Sequence, residues 1–249
     1  MSEPVHGAAI PIVALDVPTM EDALVLARRV GDGCRIFKVG SELYTAAGPA
    51  VVRALRDELG ADVFLDLKWH DIPNTVAGAV RSAARLGVRL VTVHASGGRA
   101  MLEAAQRAWA GEVGGAGRWG GVLGVTVLTS FDAAGLAAAW GREGVEVGRE
   151  VLRLAGEAEG AGLHGVVCSG AEAGLVRGVY GERLALLVPG IRLAGGDAHD
   201  QQRVVTPGGA QRAGARYLVL GRAVTAAPDP AAAFAAVARA LVEGREPAA

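Results

Sequence analysis

Short apolar runs alternate with longer amphipathic segments from one end of the chain to the other. This alternation is typical of repeated units in which a buried β-strand is followed by a helix. Eight runs have the length and apolar content of buried strands: Ile10–Leu15, Arg35–Val39, Val63–Leu67, Leu90–His94, Val122–Leu128, Gly165–Cys168, Leu184–Val188 and Tyr217–Leu220.

The segments between these runs are rich in alanine and arginine and predict amphipathic helices. Examples are Glu21–Val30, Val51–Leu59, Val76–Leu86, Arg99–Ala110 and Glu146–Glu159, with a closing helix at Pro230–Glu243. Nearly continuous apolar strands indicate a parallel sheet covered by helices, and eight such units close into a (β/α)8 TIM barrel. The 249 residues suit one barrel, so we expect a single domain over 1–249, with a flexible segment at 1–9 and a frayed end at 244–249.

Polar side chains stand at or just past the C-terminal ends of the predicted strands. In a (β/α)8 barrel this rim is the active-site face. A doubly wound open sheet would also place ligands at strand ends, so the rim alone does not decide the fold. The residues concerned are Asp16, Lys38, Asp66, Lys68, His94, Thr129, Ser169, Arg192 and Arg222.

The chain has 25 lysine and arginine residues, and only Lys38 and Lys68 are lysines. A bias toward arginine, from a GC-rich genome or from adaptation to heat, explains why lysine is scarce. It does not explain why both remaining lysines end predicted strands. Lysine in a charged, partly buried site can give up a proton, whereas arginine is effectively always protonated. We therefore interpret both lysines as candidate catalytic groups.

Charge and cysteine content indicate the type of partner and the cellular location. The formal net charge is −1 with the signs interspersed, so we expect neither nucleic acid nor a membrane surface as a partner. We expect a small molecule instead. Cys34 and Cys168 do not form a disulfide framework and are expected to be buried and reduced. No apolar stretch is long enough for an export signal or a membrane span, so we expect a cytoplasmic protein.

The most specific motif is Asp66-x-Lys68-x-x-Asp71-Ile72-Pro73-Asn74-Thr75. Residues two apart on a strand point the same way, so Asp66 and Lys68 can share the mouth of the barrel. Pro73 suits a first helical turn with neighbouring polar residues as a cap. Asp71 would then lie on a loop, able to reach a site in its own or another subunit. The alternative is a structural ion pair followed by an ordinary helix start.

Two further segments have the character of phosphate sites. Pro189-Gly190-Ile191-Arg192 and Gly221-Arg222 follow the seventh and eighth predicted strands, where barrels frequently bind phosphate. Arginine binds such an anion through two parallel hydrogen bonds, although solvated arginines are the alternative in a chain full of them. Between the two segments, residues 193–202 have the composition of a mobile lid.

These residues carry a resemblance to the orotidine 5′-phosphate decarboxylase family, of the bacterial type. The resemblance implies a homodimeric barrel that needs no cofactor and converts orotidine 5′-monophosphate to UMP and CO2. The matching segments are Val13-Ala-Leu-Asp16, Phe37-Lys38-Val-Gly40, the motif from Asp66 to Thr75, Thr92-Val-His94, Val127-Leu-Thr129-Ser130, Pro189-Gly-Ile-Arg192, Asp200-Gln201, Thr206-Pro207 and Gly221-Arg222.

The resemblance also implies a role for each candidate residue. Lys38, Asp66, Lys68 and Asp71 would form an alternating charge network, in which Lys68 protonates C6 of the pyrimidine as CO2 leaves. The expected substrate contacts are Asp16 and Lys38 at the ribose; Asp71 and Thr75 at the ribose from the neighbouring subunit; Ile72; Thr129 (or Ser130) at the pyrimidine edge; Gln201, Gly221 and Arg222 at the phosphate; and Pro189 and Arg192 at the rim and lid.

Two other functions stay open at this point. A metal-dependent sugar-phosphate decarboxylase would share the Asp-x-Lys-x-x-Asp motif, but such relatives place a metal-binding acid where this chain has Lys38. His94 has no partner at a convincing metal-ligand spacing, so no metal is predicted. The other alternative is a non-catalytic phosphate-binding barrel, against which the complete charged motif argues.

Overall fold

A closed barrel of eight parallel strands forms the centre of the molecule. The computed structural model describes residues 7–113, 120–192 and 205–244. Each strand pairs with the next along the chain, and the last pairs with the first. The strands are β1 (Ile10–Ala14), β2 (Ile36–Gly40), β3 (Asp62–Trp69), β4 (Leu90–His94), β5 (Gly121–Val125), β6 (Gly165–Val167), β7 (Ala185–Val188) and β8 (Tyr217–Leu220). The predicted (β/α)8 barrel is confirmed, and the open sheet was the wrong alternative.

Helices connect the strands and surround the barrel. They are α1 (Met20–Val30), α2 (Ser41–Ala47), α3 (Pro49–Leu59), α4 (Pro73–Arg85), α5 (Arg99–Val113), α6 (Ala133–Trp140), α7 (Val147–Gly160), α8 (Gly170–Tyr180), α9 (Pro207–Arg212), α10 (Arg222–Thr225) and α11 (Pro230–Glu243), with 3-10 turns at Ala95–Gly97 and Gly181–Arg183. None of the helices in the described ranges is long and apolar enough to cross a membrane.

Local sequence explains how these helices begin and end. The Thr19 hydroxyl accepts the N–H of Asp22 at the start of α1, and acidic residues in the first turn with arginines in the last complement the helix dipole. Proline at the first position of α4 loses no helical hydrogen bond. The expected side-chain cap is missing there, because the Asp71 carboxylate accepts the neighbouring Ile72 N–H instead.

The core has two layers, because alternate strand residues face opposite sides of the sheet. One layer lies between the strands and the helices, where Val91, Leu102 and Val151 are buried. The other fills the inside of the barrel, where Phe64 and Tyr217 are among the largest side chains. The barrel is therefore packed along its axis, and space for a ligand remains at the end where the interior residues are smaller or polar.

Two strands end two or more residues away from their predicted ends. β5 ends at Val125 rather than Leu128, because Thr126 turns both its N–H and its hydroxyl to the carbonyl of Val167. β3 runs to Trp69, two residues beyond the predicted end. Asp66 and Lys68 therefore both lie within a strand.

The chain ends lie only partly within the described residues. Of the segment 1–9 the structure describes residues 7–9, and of 244–249 it describes Gly244. Ala9 is buried and donates its N–H to the Gln211 side chain at 2.8 Å, which holds the residue just before β1 in place.

A partly buried histidine contacts a buried tyrosine at the N-terminal end of the barrel. His164, just before β6, is 2.9 Å from the hydroxyl of Tyr217, the first residue of β8. Burial lowers the pKa of His164 to about 4, and the positive charge of Arg216 adds to the effect. The imidazole is therefore neutral in the folded protein at neutral pH.

Candidate active site

The C-terminal strand ends surround a cavity of about 310 Å³, a size typical of small-ligand sites. Nine predicted site residues line it: Asp16, Lys38, Asp66, Lys68, Thr129, Pro189, Arg192, Gly221 and Arg222. Its remaining walls come from residues to which no substrate contact was assigned: Ala14, Phe64, Val125, Val127, Leu128, Val167, Leu187, Gly190 and Val219. Gly190 lies in the predicted phosphate segment, and most of the others are apolar like every other buried strand residue, so no separate signal marks them.

The first charged pair joins β1 and β2. The Lys38 ammonium lies 2.7 Å from Asp16 Oδ1, and its side chain is 11% exposed. Gly40 at the end of β2 makes room for this pair, because a Cβ at that position would stand 3.1 Å from Lys38 Nζ. A side chain at residue 40 would therefore displace the ammonium group.

The second charged pair lies on the neighbouring strand β3. Lys68 Nζ donates to Asp66 Oδ2 at 2.8 Å. The Asp66 side chain is 12% exposed and that of Lys68 is 37% exposed, so the ammonium reaches the cavity while the carboxylate stays mostly covered. The two pairs together place alternating charges along one wall of the cavity.

An irregularity in β3 sets the position of Lys68. Leu65 pairs with Val91 and Trp69 with Val93, so three residues of β3 face one residue of β4. Within the described part of the chain, Lys68 is the only residue other than glycine with a positive φ, at 50°. This conformation costs roughly 1–2 kcal/mol for a residue with a side chain, and such strain is often found at functional sites.

The residue of β4 opposite this irregularity is Thr92, which sequence reasoning did not assign to the site. Its hydroxyl donates to Asp66 Oδ1 and accepts the backbone N–H of Lys68, each at 2.9 Å. The available signal was a hydroxyl in the middle of the otherwise apolar run Leu90–Val93. A buried polar group normally has a partner, so that pattern alone indicated a specific contact.

Two histidines lie close to the second charged pair. The rings of His70 and His94 are 5.5 Å apart between centroids. Burial lowers the pKa of His94 below its ordinary value, and the neighbouring His70 and Lys68 lower it further, while Asp66 opposes them. His94 is therefore neutral at pH 7 and leaves Lys68 as the cation beside Asp66.

Two arginines from the ends of β7 and β8 also line the cavity. Arg192 follows β7 and Arg222 begins the helical turn after β8, and both line the cavity with Pro189 and Gly190. Burial lowers the pKa of Arg192, and the positive charge of Arg222 lowers it further. Two cations that repel each other across one cavity are stabilised when an anion lies between them.

Other predicted site residues lie away from the cavity wall or outside the described residues. Residues 71–75 are all exposed at the start of α4, and none of Asp71, Ile72 and Thr75 lines the cavity. Ser130 is exposed, whereas Thr129 lines the cavity. Gln201 and the lid at 193–202 lie outside the described residues.

The arrangement suits a small molecule that is anionic at one end and becomes more negative at the other during reaction. The arginines can bind the fixed anion, and the lysines can stabilise charge that develops beside them. Within 7–113, 120–192 and 205–244, the structure contains no cluster of three or more histidine, cysteine or acidic residues able to hold a metal ion.

Comparison with known proteins finds a family and several similar members of it. A family model described as "Orotidine 5'-phosphate decarboxylase / HUMPS family" matches residues 10–237. An orotidine 5′-phosphate decarboxylase from Moorella thermoacetica is 50% identical over 234 residues, covering 94% of this chain and 92% of that protein. Another, from Halorhodospira halophila, is 52% identical over 240 residues, covering 94% and 96%. The crystal structure of orotidine 5′-phosphate decarboxylase from Lactobacillus acidophilus matches with a TM-score of 0.82 at 34% identity, covering 94% of this chain and 99% of that one.

Proposed function

This chain belongs to the orotidine 5′-phosphate decarboxylase / HUMPS family, and on that premise we propose that it converts orotidine 5′-monophosphate to UMP and CO2 without a cofactor. It is an enzyme of the carboxy-lyase class, as its relatives are named. The reaction belongs to pyrimidine biosynthesis. The observation that carries the proposed chemistry is the pair of acid–lysine contacts, Asp16 with Lys38 and Asp66 with Lys68, in a cavity that two arginines also line.

Lys68 is the proposed proton donor. Loss of CO2 from C6 leaves an electron pair in the plane of the pyrimidine ring, which the ring cannot delocalise well. A cation beside C6 stabilises this charge and then supplies the proton that completes the product. Lys68 fits this role because its ammonium, held by Asp66 at 2.8 Å, also lines the cavity.

Asp66 has two proposed roles. Its carboxylate orients the Lys68 ammonium, and it lies where the departing carboxylate of the substrate would be held. Two negative charges side by side repel each other, and departure of CO2 relieves that repulsion. The contact of Asp66 with Lys68 and its low exposure support this assignment.

The size of the energy barrier that an enzyme removes favours a network of charges over a single lysine. Enzymes remove roughly 8–23 kcal/mol from their barriers. One charge pair at ~4 Å in a medium of effective dielectric ~20 contributes about 4 kcal/mol. Several fixed charges are therefore needed, and Lys38 with Asp16 supplies a second pair on the adjacent strand. Lys38 and Asp16 are proposed to contact the ribose hydroxyls at the same time.

The phosphate is proposed to bind between Arg192 and Arg222, with backbone N–H groups near Gly221. The loops after β7 and β8 of such barrels are a frequent phosphate site, and both arginines line this cavity. Gln201 completes the phosphate site in this proposal, with Pro189 shaping the rim. Binding energy from the phosphate can then assemble the reacting end of the site.

The pyrimidine edge is proposed to meet Thr129, which follows β5 and lines the cavity. The apolar wall beside it, which includes Val125 and Val167, can cover the ring and exclude water. Exclusion of water strengthens each electrostatic contact at the reacting carbon.

We further propose a homodimer in which Asp71, Ile72 and Thr75 enter the partner's site. These three residues are exposed at the loop and helix start that follow Lys68. Ile72 is apolar and 67% exposed, and a contact with the partner would remove it from water. In this arrangement Asp71 adds the last acid of the charge network.

The metal-dependent alternative is less well supported. Lys38 lies in the cavity wall at the position where those relatives carry a metal-binding acid, and its ammonium forms a pair with Asp16 at 2.7 Å. A fixed cation there repels a divalent metal ion. No observation favours a non-catalytic barrel over the enzyme.

The experiment that tests the proposed function is direct. Purified protein treated with EDTA is mixed with orotidine 5′-monophosphate, and the loss of orotate absorbance and the appearance of UMP are followed. We expect full turnover with EDTA present. Turnover that requires added Mg²⁺ would favour the metal-dependent alternative, and no turnover under either condition would refute the decarboxylase.

A further inference from the structure

We propose that Thr92 is a positioning residue for the decarboxylation, an inference that rests on the proposed function. Its single hydroxyl fixes both members of the Asp66 and Lys68 pair, without contact with the substrate. Three features support this role: the register of β3 and β4, the direction of the hydroxyl proton and the burial of the side chain.

The register leaves Thr92 alone opposite three residues of β3. Leu65 pairs with Val91 and Trp69 with Val93, so β3 carries two more residues than β4 across this interval. Extra residues of this kind interrupt the ladder of backbone hydrogen bonds and redirect the side chains. The Lys68 N–H is directed to the Thr92 hydroxyl at 2.9 Å. Thr92 thus holds the backbone of Lys68 in its uncommon conformation, with φ at 50°.

The direction of the hydroxyl proton is fixed by its neighbours. A threonine hydroxyl has one proton to donate and can accept other hydrogen bonds. The Lys68 N–H can only donate, so the hydroxyl proton is available for Asp66 Oδ1, which is 2.9 Å away. The other oxygen of Asp66 accepts from the Lys68 ammonium at 2.8 Å. The three contacts close a ring through the backbone and side chain of Lys68.

Burial shows that Thr92 acts through its neighbours. Its exposed fraction is 0%, and it is absent from the described residues that line the cavity. A substrate in the cavity therefore meets Asp66 and Lys68 but not Thr92. Loss of the hydroxyl should weaken the alignment of these two groups with the reacting carbon and leave the arginines unchanged.

The test replaces Thr92 by valine, which keeps the shape and removes the hydroxyl, and by serine, which keeps the hydroxyl. We expect Thr92→Val to lower kcat by roughly 10- to 100-fold, the range for loss of a hydrogen bond to a charged group. We expect Thr92→Ser to keep kcat within about threefold of the wild type, because the charged contact is retained. The affinity for UMP, measured by calorimetry, should change by less than about threefold in both variants, since the ligand contacts are intact.

A matched control comes from Thr126. This threonine is also buried, at 3% exposure, and its hydroxyl donates to a backbone carbonyl rather than to a charged group. Thr126→Val loses a buried hydroxyl without disturbing Asp66 or Lys68, so we expect wild-type kcat. Thermal unfolding of each variant separates a loss of fold from a loss of alignment. Thr92→Ala provides the same test if Thr92→Val does not accumulate as folded protein.

Three outcomes would overturn the inference. They are a Thr92→Val enzyme with the kcat of the wild type, a Thr92→Ser enzyme as slow as Thr92→Val, and an equal loss of UMP affinity and of kcat. A wild-type protein inactive on orotidine 5′-monophosphate would instead refute the proposed function. The comparison of variants is therefore made only against a wild type that turns over.

Discussion

Replacement of Lys68 by alanine gives the most direct test of the proposed chemistry. The change removes the proton donor and the cation that lies 2.8 Å from Asp66 Oδ2. It leaves Lys38 and Asp16, the arginines and the apolar walls of the cavity in place. The variant should therefore lose most of its turnover while its affinity for UMP is retained.

The expected loss follows from two contributions. The side chain of Lys68 is 37% exposed, so an effective dielectric of ~20 applies, and a cation ~4 Å from the developing charge contributes about 4 kcal/mol. At about 1.36 kcal/mol for each factor of ten, this corresponds to roughly 10³ in rate. Proton transfer by a positioned acid adds about 10² to 10⁴. We expect Lys68→Ala to lower kcat by roughly 10⁵ to 10⁷.

The assay is the loss of orotate absorbance, with UMP affinity measured by calorimetry on the same preparations. Lys68→Arg is the matched control, because arginine keeps the charge and cannot donate a proton at neutral pH. We expect it to lose only the proton-transfer part, about 10² to 10⁴. Lys68→Gly tests the backbone: because φ is 50°, its free energy of unfolding should exceed that of Lys68→Ala by about 1 kcal/mol.

A kcat for Lys68→Ala within tenfold of the wild type would refute the assigned role. Equal rates for Lys68→Arg and the wild type would show that charge alone matters and that another group gives the proton. If UMP affinity fell as much as kcat, the lysine would serve mainly to bind the ligand.

Three other perturbations test separate parts of the molecule. Arg222→Ala should lower kcat/KM for the phosphorylated substrate by roughly 10²-fold or more, from loss of a charge-assisted contact. It should affect turnover of orotidine, which lacks the phosphate, far less, and equal losses with both substrates would contradict phosphate binding. Mixing inactive Asp71→Ala and Lys68→Ala subunits should restore part of the activity, because one site of the mixed dimer is intact; no recovery after verified subunit exchange would argue against a shared site. The folded-state pKa of His164, about 4, lies below its ordinary 6.5, so the unfolded chain binds a proton that the folded chain does not, and stability falls as pH decreases from 6.5 toward 4 by up to about 3 kcal/mol. Urea unfolding should show that His164→Gln flattens this dependence relative to the wild type, and an unchanged slope would exclude His164 as its source.

The alternation of apolar runs and helices was sufficient to predict the barrel and the end of it that holds the cavity. Strand ends in a parallel barrel converge at one rim, so polar residues after separate strands necessarily meet there. Asp16, Lys38 and Arg222 are far apart in the chain and line one cavity for this reason. Lys38 pairs with Asp16 at the end of the neighbouring strand β1, whereas Lys68 pairs with Asp66 on the same strand, β3.

The details of β3 could not be predicted from the sequence. A regular strand would place Asp66 and Lys68 on one face without strain, and nothing in the run Val63–Leu67 indicates two additional residues relative to β4. Register depends on which residues of the neighbouring strand form hydrogen bonds, and that information is spread over both strands. Thr92 was missed for the same reason, since its partners become apparent only once the irregularity is known.

Two other features could not be predicted in full from the sequence: the end of β5 and the position of Asp71 and Thr75. A continuous apolar run predicted the strand through Leu128, but the Thr126 hydroxyl competes for a backbone carbonyl and ends the ladder earlier. Asp71 and Thr75 were assigned to a site by resemblance, and in a single chain they lie on the surface. Their assignment to a second subunit stays a prediction.

The acid–lysine pairs and the cavity arginines come from different halves of the polypeptide. Every residue of the pairs, and Thr92, precedes Val113, whereas Arg192 and Arg222 follow Gly120. Two fragments divided between Val113 and Gly120 would each carry one portion of the catalytic apparatus and lack the other. Release of CO2 could then report fragment complementation, and libraries of the two halves could be recombined to alter chemistry and anion recognition independently.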